Sequence, residues 1–167
     1  MTIVTRRTLL LPYNESLKLE FVMLNCCAKN RAQLNGPYTV ANAKLLFDKV
    51  LNDKTIHARA VLDNYNREYM GHVYIAHLDS QPELEFMFDK SYWGKGIASE
   101  TLKAFVPKAM HELQLESLTA HIKPQNIAAI KVLTKLGFYD VTQLSQCNAL
   151  VTMRFTSDEV EGKSSAA

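Results

Sequence analysis

Along the 167-residue chain, apolar positions recur with two periods, and the switches between them mark out its elements. Alternation of apolar and polar residues belongs to strands, and spacings of three and four belong to helices. Thr5 to Leu11 reads as a first strand. Glu15 to Asn25 and Val40 to Leu51 have helical spacing, and Thr39 is placed to cap the second. Ile56 to Leu62 and Tyr69 to Leu78 read as strands joined by the polar turn Asp63-Asn64-Tyr65-Asn66. Glu83 to Asp89 is a strand with Leu84, Phe86 and Phe88 on one face. Ala98 to Glu112 is a helix whose Leu102, Phe105, Ala109 and Leu113 form a stripe, and Pro107 inside it predicts a kink or an early stop near Val106. Ser117 to Ile122 is a strand. Asn126 to Leu136 is a helix capped by Asn126 and closed by Gly137, and Ala149 to Phe155 is a last strand.

Several strands followed by strand–helix–strand–helix–strand predict one α/β (α+β) domain, a mixed sheet in at most three layers. No internal repeat interrupts it. Only Thr156 to Ala167 loses its apolar content, which divides the chain into a domain over residues 1–155 and a flexible tail over 156–167.

Composition narrows the function classes. A chain that is 47% hydrophobic and 22% charged is not disordered as a whole. Its longest apolar runs, such as Phe21-Val22-Met23-Leu24, are far short of the ~20 residues a membrane helix needs. With 19 Lys+Arg against 17 Asp+Glu and no dense basic block, a duplex nucleic-acid partner is disfavoured. One small anionic ligand stays compatible. Cys26, Cys27 and the distant Cys147 cannot make a fully paired secreted framework and lack metal or redox spacing, so idle thiols in a reducing compartment are expected. The stretch after Arg6-Arg7 stops at Pro12, too short for the export signal it superficially resembles, and a cytoplasmic protein is expected. His57, His72, His77 and His111 are scattered without ligand spacing, and no metal site is expected.

The most informative stretch runs from Glu83 to Glu100, where a strand enters Trp93-Gly94-Lys95-Gly96-Ile97-Ala98 and a helix begins at once. Glycines there let backbone N–H groups converge while the helix adds its positive end, the physical recipe for holding a phosphate or pyrophosphate. Gly-Lys-Gly alone is equally compatible with a plain tight turn. The P-loop pattern is absent, and a dinucleotide fingerprint would need a third glycine at Ser99.

Read together with Asn126 and Lys135-Leu136-Gly137-Phe138, this stretch resembles the two signatures of the GCN5-related N-acetyltransferase (GNAT) superfamily. Gly96 and Ala98 match its Q/R-x-x-G-x-G/A loop, with Trp93 in place of the usual Gln or Arg. Tyr92 to Ala98 is especially similar to the RimJ/RimL-type branch, which acetylates ribosomal-protein N-termini and other amines. The resemblance extends from Arg7 to about Phe155, and residues 83–139 carry its specific motifs.

It implies a mostly antiparallel sheet with a V-shaped opening between the fourth and fifth predicted strands, Glu83–Asp89 and Ser117–Ile122. It implies acetyl-CoA as co-substrate and an acetyl transfer to a primary amine through a tetrahedral intermediate. Backbone groups of Phe86, Met87 and Phe88 are expected to pair with the pantetheine arm, with an N–H near Phe88 on the oxyanion. Gly94, Lys95, Gly96, Ile97, Ala98 and Ser99 are expected to cradle the pyrophosphate, and Asn126 to reach the pantetheine or serve only as a cap. Lys131 and Lys135 are candidates for the adenosine phosphates or are simply exposed.

For the amine proton, His121 stands where several relatives place a base, as a base or as a plain strand histidine; Glu83 and Glu85 are the alternatives. Where many relatives carry an acidic Tyr this chain has Leu133, and where the branch often offers Ser it has Ala129. Cys147 is either the acid or a buried small residue. An acyl-CoA-binding sensor without turnover is therefore the rival reading, and an unrelated α/β phosphate binder a third. The acceptor is a protein N-terminus, such as that of a ribosomal protein, or a small amine, and the protein a monomer or homodimer.

Overall fold

A computed structural model describes residues 1–144 and 149–157. Eight strands form one sheet in the order β1 (Ile3–Val4), β2 (Thr8–Leu11), β3 (His57–Asp63), β4 (Tyr69–Ala76), β5 (Glu83–Phe88), β6 (Ser117–Ile122), β8 (Val151–Thr156), β7 (Tyr139–Asp140). Every neighbouring pair is antiparallel except β5 and β6. The helices are α1 (Lys18–Cys26), α2 (Val40–Asn52), α3 (Ile97–Glu112) and α4 (Ile127–Lys135). Mixed α/β architecture in three layers, as the alternation of elements predicts, is what forms.

Two apolar cores explain the layering. Neighbours on β4 part company: Ile75 joins Leu102, Phe105, Leu118 and Leu133 under α3 and α4. Tyr74 joins Phe21, Phe47 and Val50 under α1 and α2. That is the period of two acting on a sheet covered on both faces. Tyr13 closes the smaller core, meeting Phe21 and Phe47 edge-on at centroid distances of 5.6 and 5.9 Å.

The elements depart from expectation in three places. The first predicted strand is two, because the chain bends over Thr5–Arg7; Thr5 N–H donates to the Thr8 carbonyl at 2.8 Å and their hydroxyls lie 2.7 Å apart. α3 neither stops at Val106 nor breaks at Pro107 but runs on to Glu112. Proline removes the partner of the Lys103 carbonyl, yet both residues face solvent, where water takes up the free acceptor. The two-residue strand β7 was too short to read from periodicity. Thr39 and Asn126 cap α2 and α4 as expected, accepting from the N–H groups of Asn42 and Ala129. β8 ends at Thr156, and Ser157 N–H still donates to Glu116 O at 2.9 Å. Cys147 and the rest of the expected tail, from residue 158, lie outside the described residues.

Candidate functional site

β5 is fully paired on one side only. Against β4 it is in register from Ala76↔Glu83 to Gly71↔Phe88, whereas against β6 a single pair, Glu83↔Thr119, joins the strands. Beyond that pair the strands diverge. Asp89 N–H donates to Met70 O at 2.8 Å, and antiparallel peptide groups alternate in direction, so those of Met87 belong to β4 while those of Phe86 and Phe88 face the gap. The Phe88 carbonyl there accepts the indole N–H of Trp93 at 2.9 Å.

Immediately after β5, Asp89 caps a short turn, accepting from Ser91 N–H at 3.0 Å. The chain then passes Gly94 at φ +72° and Gly96 at φ +75°, left-handed conformations that side chains resist, and α3 begins. A cavity of about 500 Å³ opens there between β5, the start of α3 and the start of α4. Phe86, Met87, Phe88, Gly94, Gly96, Ile97, Ala98, Ser99 and Asn126 line it; Lys95 does not. Asn126 both caps α4, its Oδ1 accepting from Ala129 N–H at 3.3 Å, and reaches the cavity wall. Ala129 lines the cavity too, whereas Leu133 is fully buried in the core beneath it. Lys131 and Lys135 are exposed on α4.

His121, Glu83 and Glu85 are not on the cavity wall. They occupy the opposite sheet face, where β5 and β6 begin to diverge. His121 pairs across strands with Thr152, its Nδ1 lying 3.0 Å from the buried Thr152 hydroxyl. Two residues past the Glu83↔Thr119 pair, Glu85 stands across the gap from His121 and accepts the Tyr74 hydroxyl. Burial pushes the Glu83 carboxyl above the ordinary range; the charges of His121 and His77 pull it down and that of Glu85 pushes it up.

Residues distant in sequence complete the site and carried no local signal. Asn30, almost fully buried after α1, donates to Asp89 Oδ2 at 3.0 Å and accepts from Lys90 N–H at 2.9 Å, so the loop carrying Asn30, Gln33 and Leu34 becomes a wall of the cavity. Arg7, in the bend before β2, reaches the glycine turn from outside. Cys26 and Cys27 are free thiols. Among the described residues, no group of three or more His, Cys, Asp or Glu is placed to hold a metal ion, and no helix is long and apolar enough to cross a membrane.

An open strand edge, a glycine turn and a helix N-terminus thus meet at one cavity. The family model for the acetyltransferase (GNAT) domain matches residues 7–139, and the chain belongs to that family. It is similar to YjcK of Bacillus subtilis (strain 168), named a probable N-acetyltransferase, at 39% identity over 54 residues, 32% of this chain and 30% of that one. The uncharacterized N-acetyltransferase p20 of Bacillus licheniformis matches at 30% identity over 60 residues, 36% of this chain and 34% of that one. The similarity thus spans about a third of the length of these curated relatives. The solved acetyltransferase from Agrobacterium tumefaciens str. C58 superposes with a TM-score of 0.82 at 19% identity, covering 94% of this chain and 95% of that one. Spermidine N-acetyltransferase from Vibrio cholerae, in complex with CoA and spermine, gives 0.75 at 15% identity, covering 90% and 94%. These structural likenesses show the fold.

Proposed function

We propose that the chain transfers the acetyl group of acetyl-CoA to a primary amine. The observation that carries this reading is the free edge of β5 at the cavity: the peptide groups of Phe86 and the N–H of Phe88 are unpaired by β6 where a peptide-like pantetheine arm fits as an added strand. The N–H groups between Gly94 and Ser99, with the positive end of α3, hold the diphosphate. Asn126 touches the arm from α4, and the N–H of Phe88 polarises the thioester carbonyl, a donor of a kind worth ~3–4 kcal/mol to the oxyanion.

The acceptor enters from the face of Glu83, Glu85 and His121. Carboxylates there attract an ammonium ion. His121, held at Nδ1 by Thr152, offers Nε2 to take the proton as the amine attacks the carbonyl carbon and the C–S bond breaks. The RimJ/RimL-type resemblance makes a protein N-terminal α-amine the first acceptor to try, since its pKa of about 7.7–8.0 makes deprotonation easy. CoA leaves as a thiolate; Ala129 and Leu133, where relatives carry Ser and Tyr, offer it no proton.

That last feature also favours a second reading, an acyl-CoA sensor without turnover. Calorimetry with acetyl-CoA and thiol release over a panel of amines and peptides separate the two. Transfer is expected, with His121→Ala lowering kcat/KM by about 10²-fold or more. Binding without release for any amine would favour the sensor, and absence of binding would sink both.

A further inference from the structure

Three hydrogen bonds join Arg7 to the glycine turn and the first turn of α3. Its Nη1 donates to the Lys95 carbonyl at 2.7 Å. Its Nε donates to Glu100 Oε2 at 2.6 Å, and its backbone N–H to Glu100 Oε1 at 3.2 Å. The planar fork of a guanidinium meets both acceptors at once, which an ammonium point charge cannot do.

The first contact sets the direction of a peptide plane. Lys95 sits between two residues of positive φ and belongs to no ladder or helix. In a trans peptide, the C=O of Lys95 and the N–H of Gly96 point in opposite directions. Pinning that carbonyl outward on Arg7 therefore turns the Gly96 N–H away from Arg7, and Gly96, unlike Arg7, lines the cavity. The second contact concerns charge. Burial pushes the Glu100 carboxyl up, but the hydrogen bonds and charge of Arg7 hold it below the ordinary range, so it is ionised. A bare carboxylate at this helix N-terminus would oppose the field that attracts phosphate. Arg7 cancels it.

We propose that Arg7 is a positioning residue for the donor's diphosphate, orienting the Lys95–Gly96 peptide and neutralising Glu100 without touching the donor. This rests on the acyl-CoA reading of the cavity. Calorimetry with CoA tests it without knowledge of the acceptor, and the KM for acetyl-CoA repeats the comparison once an acceptor is known. Arg7→Ala is expected to weaken CoA about tenfold while leaving kcat at saturating donor near the wild-type value. Arg7→Lys should recover part of the loss, because it restores charge beside Glu100 but not the fork. Arg7→Ala with Glu100→Gln should bind CoA more tightly than Arg7→Ala alone, and with a weaker dependence on salt. An unchanged Kd for CoA in Arg7→Ala would overturn the proposal. So would a loss that neither Arg7→Lys nor Glu100→Gln relieves, accompanied by a fall in kcat and in Tm, since that is a loosened fold. Failure of the wild-type chain to bind CoA would instead remove the reading on which it rests.

Discussion

His72 lies between Phe21 and Tyr74, each at a ring-centroid distance of 5.3 Å, with its Nδ1 unpartnered among the described residues. Burial, and then the charge of Arg31, depress its pKa from 6.5 to about 3. As pH falls below 6.5, the unfolded chain takes up this proton first, so the stability owed to a neutral His72 is present above 6.5 and is lost as pH falls toward about 3. His57, depressed to about 4 by burial and then by the charge of Arg59, acts in the same sense. Denaturant unfolding should therefore show a loss of about 2–3 kcal/mol from His72 between pH 6.5 and about 4.5, and a flatter pH slope in His72→Gln. Equal slopes in the two proteins would refute it. Neither histidine announced its environment in the sequence. His121 did stand out, through its place before Asn126, but Thr152, which holds its ring, lies on another strand and is visible only once β6 and β8 are paired.

Strands β4 and β5 lie close together at Gly71. A Cβ at this position would lie 2.1 Å from the Met87 carbonyl oxygen and 2.8 Å from Phe88 Cα, backbone atoms that cannot step aside. Gly71→Ala should push β5 toward the cavity, destabilising the protein by about 1–3 kcal/mol and weakening CoA further than its fall in Tm explains. Thermal melting with and without CoA measures both, and wild-type values in both would show that the strand pair yields at no cost. The reason for this glycine could not be read along the chain, because the clash is with a partner strand. The turn from β5 into α3 was legible for the opposite reason: Gly94 and Gly96 satisfy a local need for positive φ. Pro107 misled, because a local rule about helix interiors ignores where the freed carbonyl faces.

At the scale of the molecule, one strand pair, Glu83↔Thr119, joins a half-sheet of β1–β5 to one of β6, β8 and β7. A donor that adds itself to β5 should slow amide exchange at Phe86 and Phe88, whose N–H groups face the gap, far more than at Met87, which is already paired to β4. Uniform protection across the three would mean that CoA binds without joining the strand. The opening itself was foreseeable from motif resemblance. The face proposed for the acceptor was not, because it is drawn from β5, β6 and β8 together, and no contiguous segment encodes it.

An unpaired strand edge is ordinarily a hazard, since any extended chain can dock on it and seed aggregation. Here the open edge of β5 is recessed between the starts of α3 and α4 and the loop carrying Asn30. The recess proposed to admit the donor thus lets the protein keep a sticky edge, protected by its shape where other sheets rely on charge or proline.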